Sequence, residues 1–145
     1  MTIEKYSPEH REQVISVWEK SVLASHQFLS AAEIDYYKSI VETIDFSDFQ
    51  VYCLTGNDTV AGFIGLSEQK IEMLFLAPEH TRKGLGKKLM NFAIRELNAN
   101  EVDVNEENKS ACQFYLKSGF TVFGREEKDS EGKDHPILKM RLQTT

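Results

Sequence analysis

Apolar and polar positions alternate along the chain with two different spacings, and the spacing changes near Asp48. Before that point apolar residues recur every three to four positions, which is typical of helices with one buried face. Ser7-Pro8-Glu9 has the hydroxyl, early proline and first-turn acid of a helix start, and Ser30-Ala31-Ala32-Glu33 fits a capping box. This part of the chain therefore predicts a short strand over Ile3–Tyr6 followed by two helices.

After Asp48 the pattern consists of β-rich runs and polar turns, with two further helical segments between them. The predicted strands are Gln50–Leu54, Val60–Leu66, Ile71–Leu76, Glu101–Val104, Phe120–Arg125 and Ile137–Leu142. One helix is predicted from Gly84, and another over Asn108–Ser118, closed by Gly119. The order β-α-α-β-β-β-α-β-α-β-β combines an antiparallel meander with a β-α-β crossover. It predicts an α+β (mixed α/β) fold, with a mixed sheet and helices on both faces.

Composition and charge narrow the class of protein. Of the 145 residues, 41% are hydrophobic and 28% charged, so we expect one globular domain spanning residues 1–145. The 17 basic and 23 acidic residues give a net charge of −6, which disfavours a nucleic-acid partner. No apolar run approaches the roughly 18 residues of a membrane span, and the first residues do not resemble a signal segment. We therefore expect a soluble, cytoplasmic protein with no membrane partner.

The cysteine and histidine positions argue against a disulfide or a metal site. Cys53 and Cys112 lie far apart among apolar neighbours, which favours reduced, packed thiols over a redox or metal role. The four histidines show no metal-ligand spacing, so no metal is expected.

The segment from Pro78 to Leu89 carries the most specific chemical signal. A predicted strand leads into a glycine-containing turn, and the turn opens a helix whose free N–H groups favour an anion. Basic residues surround this turn in an otherwise acidic chain: Arg82, Lys83, Lys87 and Lys88. A phosphate-bearing ligand is one interpretation, and a strand-to-helix corner with a solvated basic face is the other. The segment matches neither a P-loop nor a dinucleotide fingerprint, because Lys88 and Leu89 stand at required positions.

Two motifs resemble those of the GNAT acetyltransferases. Thr81–Gly86 is similar to the family's pyrophosphate loop, Gln/Arg-x-x-Gly-x-Gly/Ala, although Thr81 stands where the family usually has Gln or Arg. Asn108–Phe120 resembles the family signature Asn-x-x-Ala-x-x-Phe/Leu-Tyr-x-x-x-Gly-Phe. In the N-terminal half, Val17–Val22 and His26–Leu29 resemble the small bacterial YjaB-type branch, so the resemblance covers essentially the whole chain.

The resemblance implies a GNAT fold with a V-shaped splay between strands 4 and 5, in which acetyl-CoA is held. It implies acetyl transfer from acetyl-CoA to a primary amine, of a protein lysine or a small molecule, by direct attack in a ternary complex. The residues then expected to bind acetyl-CoA are Leu74, Phe75, Leu76, Thr81, Arg82, Lys83, Gly84, Leu85, Gly86, Lys87, Asn105, Asn108, Ala111 and Tyr115. Backbone groups of Leu74 and Leu76 would pair with the pantetheine arm, and Arg82 would supply the charge that Thr81 lacks.

Two catalytic residues follow from the same resemblance. Tyr115 is expected to protonate the leaving thiolate, since a phenol with a pKa of about 10 keeps its proton at neutral pH. The alternative for Tyr115 is a packed aromatic side chain. Glu72 is the candidate base for the amine. A water chain is the alternative base, and Glu72 would then be the solvent-facing member of an alternating strand.

The acceptor is expected between the two N-terminal helices and the last strands, where five residues supply aromatic surface: Trp18, His26, Phe28, Tyr36 and Tyr37. The first four are the residues predicted to bind the acceptor. His26 is a second candidate base, although a lone histidine is more often structural. The sequence leaves open which amine is acetylated, and whether the protein is a monomer or a homodimer. A non-catalytic domain that binds acetyl-CoA as a sensor or docking module is the alternative function.

Overall fold

The computed structural model describes residues 1–81 and 83–142, and this part of the chain contains seven strands and four α-helices. In chain order these are β1 (Thr2–Lys5), α1 (Arg11–Ser25), α2 (Ala31–Val41), β2 (Gln50–Gly56), β3 (Thr59–Ser67), β4 (Lys70–Leu76), α3 (Leu85–Leu97), β5 (Glu101–Asn105), α4 (Lys109–Lys117), β6 (Phe120–Glu126) and β7 (Ile137–Leu142). The predicted order is confirmed. The helix start predicted at Ser7 is a 3₁₀ turn over Pro8–His10, and the α-helix begins one turn later.

The seven strands form one mixed sheet in the order β1-β2-β3-β4-β5-β7-β6. Neighbouring strands are antiparallel except for β4 and β5, which are parallel. A parallel pair needs a crossover connection, and α3 provides it. The α+β fold class expected from the element order is therefore confirmed, with its meander and its single β-α-β unit.

Alternating side chains along the strands build a core on each face of the sheet. Leu54 and Ile64 lie in a cluster with residues of α3 and α4. Their sequence neighbours Cys53 and Phe63 lie in a second cluster, with residues of α1 and, at its margin, α2. Helices thus cover both faces, as predicted. Among the helices of the described residues, none has the length and apolar composition needed to cross a bilayer.

Local hydrogen bonds set where two helices near the cleft begin. Ser30 Oγ accepts the Glu33 N–H at 3.1 Å, and the Glu33 carboxylate accepts the Ser30 N–H at 3.0 Å, which completes the predicted capping box of α2. Asn108 Oδ1 accepts the Ala111 N–H at 3.2 Å and caps α4. Gly119, with a φ of 102°, ends α4 in the left-handed region as its position predicts.

Candidate active site

β4 and β5 pair only at their first residues and then diverge. The parallel ladder joins Lys70 to Glu101 and the two residues that follow them, although both strands continue well beyond these pairs. The gap that opens is a cleft of about 200 Å³, lined by both strands, α4 and the end of α1. This is the V-shaped splay that the family resemblance implies.

The backbone of β4 directs two residues toward this cleft. The Ala77 N–H donates to the Ala61 C=O of β3 at 2.8 Å, which fixes the direction of the backbone groups at this end of β4. Because these directions alternate along a strand, the groups of Leu74 and Leu76 point away from β3, to the side where β5 no longer pairs. Phe75 directs its backbone toward β3, and its side chain lines the cleft.

A β-bulge determines where Glu72 points. The register of β3 and β4 shifts between the pairs Gly65–Met73 and Leu66–Ile71, so Glu72 is an extra residue in β4. The strict alternation expected of this strand therefore breaks at Glu72. The Glu72 side chain is exposed, and it lines both the cleft and a larger pocket on the α1 side of the sheet.

The N-terminus of α3 presents free backbone donors. Gly84 precedes the helix with a φ of 75°, and the first bond within the helix runs from the Lys88 N–H to the Gly84 C=O at 3.1 Å. The N–H groups of Leu85, Gly86 and Lys87 therefore have no partner within the helix. Such groups, with the positive end of the helix dipole, favour a phosphate or another anion.

Close packing at Gly86 holds this turn against the open end of the cleft. A Cβ atom on Gly86 would lie 3.4 Å from the Leu76 side chain and 3.5 Å from the Phe114 ring. A side chain larger than a methyl group would therefore push the turn away. The free N–H groups of α3 and the unpaired backbone of β4 lie next to each other and can contact one extended ligand.

Some side chains of the turn form polar contacts within the protein, and others do not. The Thr81 hydroxyl donates to the Pro78 C=O at 2.9 Å, so it stabilises its own turn. Lys83 and Lys87 are exposed and, among the described residues, form no ion pair. Arg82, predicted to supply the charge that Thr81 lacks, lies outside the described residues.

Tyr115 lines the cleft and has an unpaired hydroxyl. Its ring packs against Phe114 and Phe120, with centroids 5.4 and 5.9 Å away, and only 7% of the residue is exposed. The hydroxyl makes no hydrogen bond within the described residues, which is uncommon for a polar group in so buried a residue. Burial, and to a lesser extent Cys112, raise the pKa of Tyr115, so the phenol stays protonated at neutral pH.

The other predicted contacts to the cofactor, at the end of β5 and beyond it, lie along the same cleft. They are Asn105, Asn108 and Ala111. The side-chain oxygen of Asn108 is used by the N-cap of α4, so its predicted capping role is confirmed. Six of the residues predicted to contact the cofactor thus line one cleft: Leu74, Phe75, Asn105, Asn108, Ala111 and Tyr115. Gly86 of the glycine turn packs against Leu76, at the end of β4.

A larger pocket, of about 390 Å³, adjoins the cleft on the α1 side of the sheet. The two cavities share five lining residues: His26, Glu72, Phe75, Asp103 and Asn105. Trp18 and Tyr37 add aromatic surface to the pocket. A ligand bound in the pocket can therefore reach the end of a second ligand held in the cleft.

Carboxylates dominate this pocket. Four acidic residues line it: Glu72, Asp103, Asp129 and Glu131. Among its described lining residues, Lys70 is the single Lys or Arg, and its Nζ lies 2.7 Å from Asp103. The Tyr37 hydroxyl donates to Asp129 and holds that carboxylate in the wall. The net negative charge suits a cationic amine as the ligand.

The four residues predicted to bind the acceptor fall into two groups. Trp18 and His26 line the pocket. Phe28 packs on the His26 ring at 5.2 Å, and Tyr36 donates to Glu131 at 2.9 Å. Phe28 and Tyr36 therefore contact residues of the pocket wall and do not themselves line the pocket.

Four charged residues of the pocket were not among the site residues predicted from the sequence: Lys70, Asp103, Asp129 and Glu131. Asp103 alternates with Val102 and Val104, a pattern that signals one polar face on β5. No local signal connects Asp129 to its partner Tyr37, because 92 residues separate them. Within residues 1–81 and 83–142, no group of three His, Cys, Asp or Glu side chains is arranged to hold a metal ion.

Comparison with known proteins identifies the family. The model of the acetyltransferase (GNAT) domain matches residues 6–143. The chain belongs to the GNAT acetyltransferase family. This GNAT protein is 34% identical over 145 residues to the peptidyl-lysine N-acetyltransferase YjaB of Salmonella typhimurium, with 97% of each chain covered. It is 32% identical to the Escherichia coli protein of the same name, over 97% of this chain and 95% of the relative.

Solved structures agree with this assignment. The solution structure of apo YjaB from Escherichia coli superimposes with a TM-score of 0.90 and 31% identity, covering 99% of this chain and 98% of that one. The PaiA N-acetyltransferase of Thermoplasma acidophilum, solved with coenzyme A, shares the fold with a TM-score of 0.73 and 24% identity, over 96% and 98% of the chains. The resemblance, the GNAT fold and the enzyme class predicted from the sequence are confirmed. This GNAT protein is an acyl-CoA-dependent N-acetyltransferase with acetyl-CoA as its cosubstrate.

Proposed function

We propose that this GNAT protein transfers the acetyl group of acetyl-CoA to the side-chain amine of a lysine in a protein or peptide, by direct attack within a ternary complex. The observation that carries this proposal is the acidic pocket that adjoins the β4–β5 cleft and shares five lining residues with it. The two YjaB relatives are named as peptidyl-lysine N-acetyltransferases, which supports a lysine acceptor.

On the donor side, the pyrophosphate of acetyl-CoA binds the N–H groups at the start of α3, between Gly84 and Lys87. The pantetheine arm extends along β4 and pairs with the backbone of Leu74 and Leu76, as a neighbouring β-strand would. The thioester then lies deep in the cleft, within reach of the Tyr115 hydroxyl. Asn105, Asn108 and Ala111 form the opposite wall.

On the acceptor side, the ammonium enters a pocket whose carboxylates attract it and whose aromatic wall packs on the alkyl chain. An alkyl ammonium with a pKa near 10.4 is deprotonated in only about one molecule in a few thousand at pH 7, a barrier of roughly 4 to 5 kcal/mol. A base must remove its proton before the nitrogen can attack. Glu72 and His26 both lie at the junction of the two cavities and are the candidate bases.

Attack of the free amine on the thioester carbonyl forms a tetrahedral intermediate, and its collapse breaks the C–S bond. Tyr115 gives its proton to the departing thiolate, which leaves as a neutral thiol. The raised pKa of Tyr115 keeps that proton in place until the thiolate forms. The phenolate then takes the second proton that the nitrogen loses, which restores Tyr115.

The state of the two cysteines supports direct attack over an acetyl-cysteine intermediate. Both thiols are free. Burial raises the pKa of Cys53 to about 12, and burial also raises the pKa of Cys112. Neither thiol is activated as a nucleophile at neutral pH. We also propose a cytoplasmic location, which two free thiols support.

The test is release of free thiol from acetyl-CoA in the presence of candidate acceptors, with product masses measured in parallel. The panel contains lysine peptides, the same peptides with lysine replaced by norleucine, a peptide with a free N-terminus, a polyamine and an amino sugar. Thiol release and one added acetyl group on the lysine peptide alone are expected. Acetylation of a different amine would overturn the lysine assignment. Tight acetyl-CoA binding without thiol release for any amine would favour a non-catalytic sensor.

A further inference from the structure

His26 occupies the one position that both cavities share on the α1–α2 side. It directly follows Ser25, the last residue of α1, and its ring packs against Phe28 at 5.2 Å. The side chain lines the cleft together with Tyr115, and it lines the acidic pocket together with Trp18. An amine that moves from the pocket to the thioester therefore passes His26.

The hydrogen bonds of Ser25 determine which ring nitrogen of His26 carries the proton. The Ser25 hydroxyl donates its single hydrogen to the Ser21 C=O at 2.7 Å, because a carbonyl oxygen can only accept. The same oxygen lies 2.8 Å from His26 Nδ1, so it accepts the Nδ1–H. The network thus assigns the proton of the neutral imidazole to Nδ1 and leaves a lone pair on Nε2.

The second ring nitrogen is available to a ligand. Nε2 makes no hydrogen bond within the described residues, although the ring lines two cavities. Burial lowers the pKa of His26, so the imidazole is neutral at pH 7. The Nδ1–H to Ser25 bond is the same in the neutral and the protonated ring. Nε2 can therefore gain and lose a proton without rearrangement of its support.

On the cleft side, His26 shares the wall with Tyr115 of α4. The titratable groups that line the pocket with His26 come from three elements and one loop. They are Lys70 and Glu72 on β4, Asp103 on β5, Tyr37 on α2, and Asp129 and Glu131 after β6. Carboxylates predominate among these groups, so the pocket attracts a cationic amine toward His26. Lys70 is paired with Asp103, and Glu72 is the junction carboxylate that forms no hydrogen bond or ion pair within the described residues.

We infer that His26 Nε2 is the general base that removes the first proton from the acceptor ammonium, an inference that rests on the proposed lysine acetylation. Glu72 then holds the ammonium beside Nε2 through its charge and does not itself take the proton. The N–H bond of the ammonium breaks and the Nε2–H bond forms, and the imidazolium later releases this proton to solvent. The second proton that the nitrogen loses goes to the Tyr115 phenolate and replaces the proton that Tyr115 gave to the thiolate. Overall, one proton is therefore released per acetyl group transferred.

The test compares kcat/KM against pH for wild-type protein, His26→Gln and Glu72→Gln, with a lysine peptide and saturating acetyl-CoA. If a base deprotonates the bound ammonium, the kcat/KM of the wild type is constant over a range of pH. This plateau extends from the pKa of His26, below 6.5, to the amine pKa of about 10. Without the base, His26→Gln depends on free amine, so its kcat/KM rises about tenfold per pH unit. At pH 7 its turnover falls by roughly 10²–10⁴.

Three further measurements separate a chemical role from a structural one. Added imidazole restores part of the activity of His26→Ala. Ser25→Ala, which loses the acceptor of Nδ1–H, shows a smaller loss of kcat with unchanged affinity for acetyl-CoA. Glu72→Gln raises KM for the peptide more than it lowers kcat and keeps the wild-type plateau. His10→Gln is the matched control, since His10 lines neither cavity and the variant keeps the wild-type pH profile.

Each outcome decides for or against His26. If His26→Gln turns over within about twofold of wild type, the inference is overturned while the proposed function stands. The same holds if Glu72→Gln loses the plateau in kcat/KM and His26→Gln keeps it. Absence of lysine acetylation by the wild type overturns both. If His26→Gln does not fold, the imidazole resonances of the wild type are titrated by NMR. A His26 pKa that differs from the acid limb of kcat/KM then rejects the base.

Discussion

Lys70 Nζ and Asp103 Oδ2 lie 2.7 Å apart, across the point where β4 and β5 stop pairing. The pair closes the narrow end of the splay and neutralises one of the four carboxylates of the pocket. Both side chains remain about one third exposed, so the pair contributes less to stability than a buried ion pair would. Its main consequence is the charge distribution that an incoming amine meets.

Replacing Lys70 with methionine tests this consequence. Lys70→Met frees Asp103, which makes the pocket more negative, so KM for a cationic peptide falls while kcat changes little. The free energy of unfolding falls by less than about 1 kcal/mol. Steady-state kinetics at low and high salt check the prediction, because the gain in affinity shrinks as salt screens the charge. A KM that rises at low salt would contradict the assigned role of the pair.

Tyr115→Phe removes the proposed acid and keeps the packing. The ring contacts with Phe114 and Phe120 remain, and the lost hydroxyl has no partner within the described residues, so the melting temperature changes little. Turnover falls by roughly 10²–10⁴, with an unchanged dissociation constant for acetyl-CoA. Tyr52→Phe is the control, since Tyr52 packs on Phe92 at 4.9 Å and lines neither cavity. Near-normal turnover of Tyr115→Phe would remove the tyrosine from the mechanism.

Alanine substitutions at two glycines with the same backbone conformation allow the effect of backbone strain to be separated from an effect on ligand binding. Gly84 and Gly132 have φ values of 75° and 76°, and a Cβ atom at either would meet no atom within 4 Å. Alanine at either position therefore destabilises the fold by a similar 1–2 kcal/mol or so. Only Gly84→Ala weakens acetyl-CoA binding, by about tenfold, because it shifts the free N–H groups of α3. Calorimetric titration of both variants checks this, and equal dissociation constants would argue against the anion site.

His135 joins α2 to the segment after β5, through Glu33 at 2.7 Å and Glu107 at 2.8 Å. Burial by itself lowers the pKa of His135, but the hydrogen bonds to Glu107 and Glu33 outweigh it and raise the pKa above its ordinary 6.5. The stability from this raised pKa is fully present below pH 6.5 and is lost as the pH rises through the pKa of the folded protein.

The pKa of Glu33 shifts in the opposite direction. The hydrogen bond that its carboxylate accepts from the Ser30 backbone, and then the one it accepts from His135, lower this pKa from 4.5, so its contribution to stability is lost at acid pH. The difference in melting temperature between wild type and His135→Gln is therefore largest between about pH 4.5 and 6.5, at a few degrees, and shrinks above neutrality. Thermal melts across this range check it, and a difference that grows with pH would contradict the assigned ion pairs.

The sequence was informative wherever the determining interaction is local. The capping box at Ser30 and Glu33 involves residues three positions apart, and Gly119 ends α4 at the residue where its motif places it. The glycine turn before α3 belongs to the same class, because the donors of a helix N-terminus come from consecutive residues. These signals were sufficient for the element order, and they are the basis of the proposed path of the cosubstrate.

What the sequence did not reveal depends on contacts between distant segments. The bulge at Glu72 arises from the register of β4 against β3, and the run Ile71–Phe75 reads as a regular alternation on its own. Asp129 joins the pocket wall only because the loop after β6 folds over Tyr37, 92 residues earlier. The acidic character of the pocket is therefore a property of the fold and of no single motif.

The most direct measurement of the central claim is a map of backbone amide shifts by NMR as acetyl-CoA is titrated into the protein. We expect the largest changes at Leu74, Leu76 and the four residues from Gly84 to Lys87, because the proposed binding mode places their N–H groups against the cosubstrate. Amides of β1 and of the outer part of β2 should move little. Binding that perturbs those distant amides and leaves the start of α3 unchanged would contradict the account.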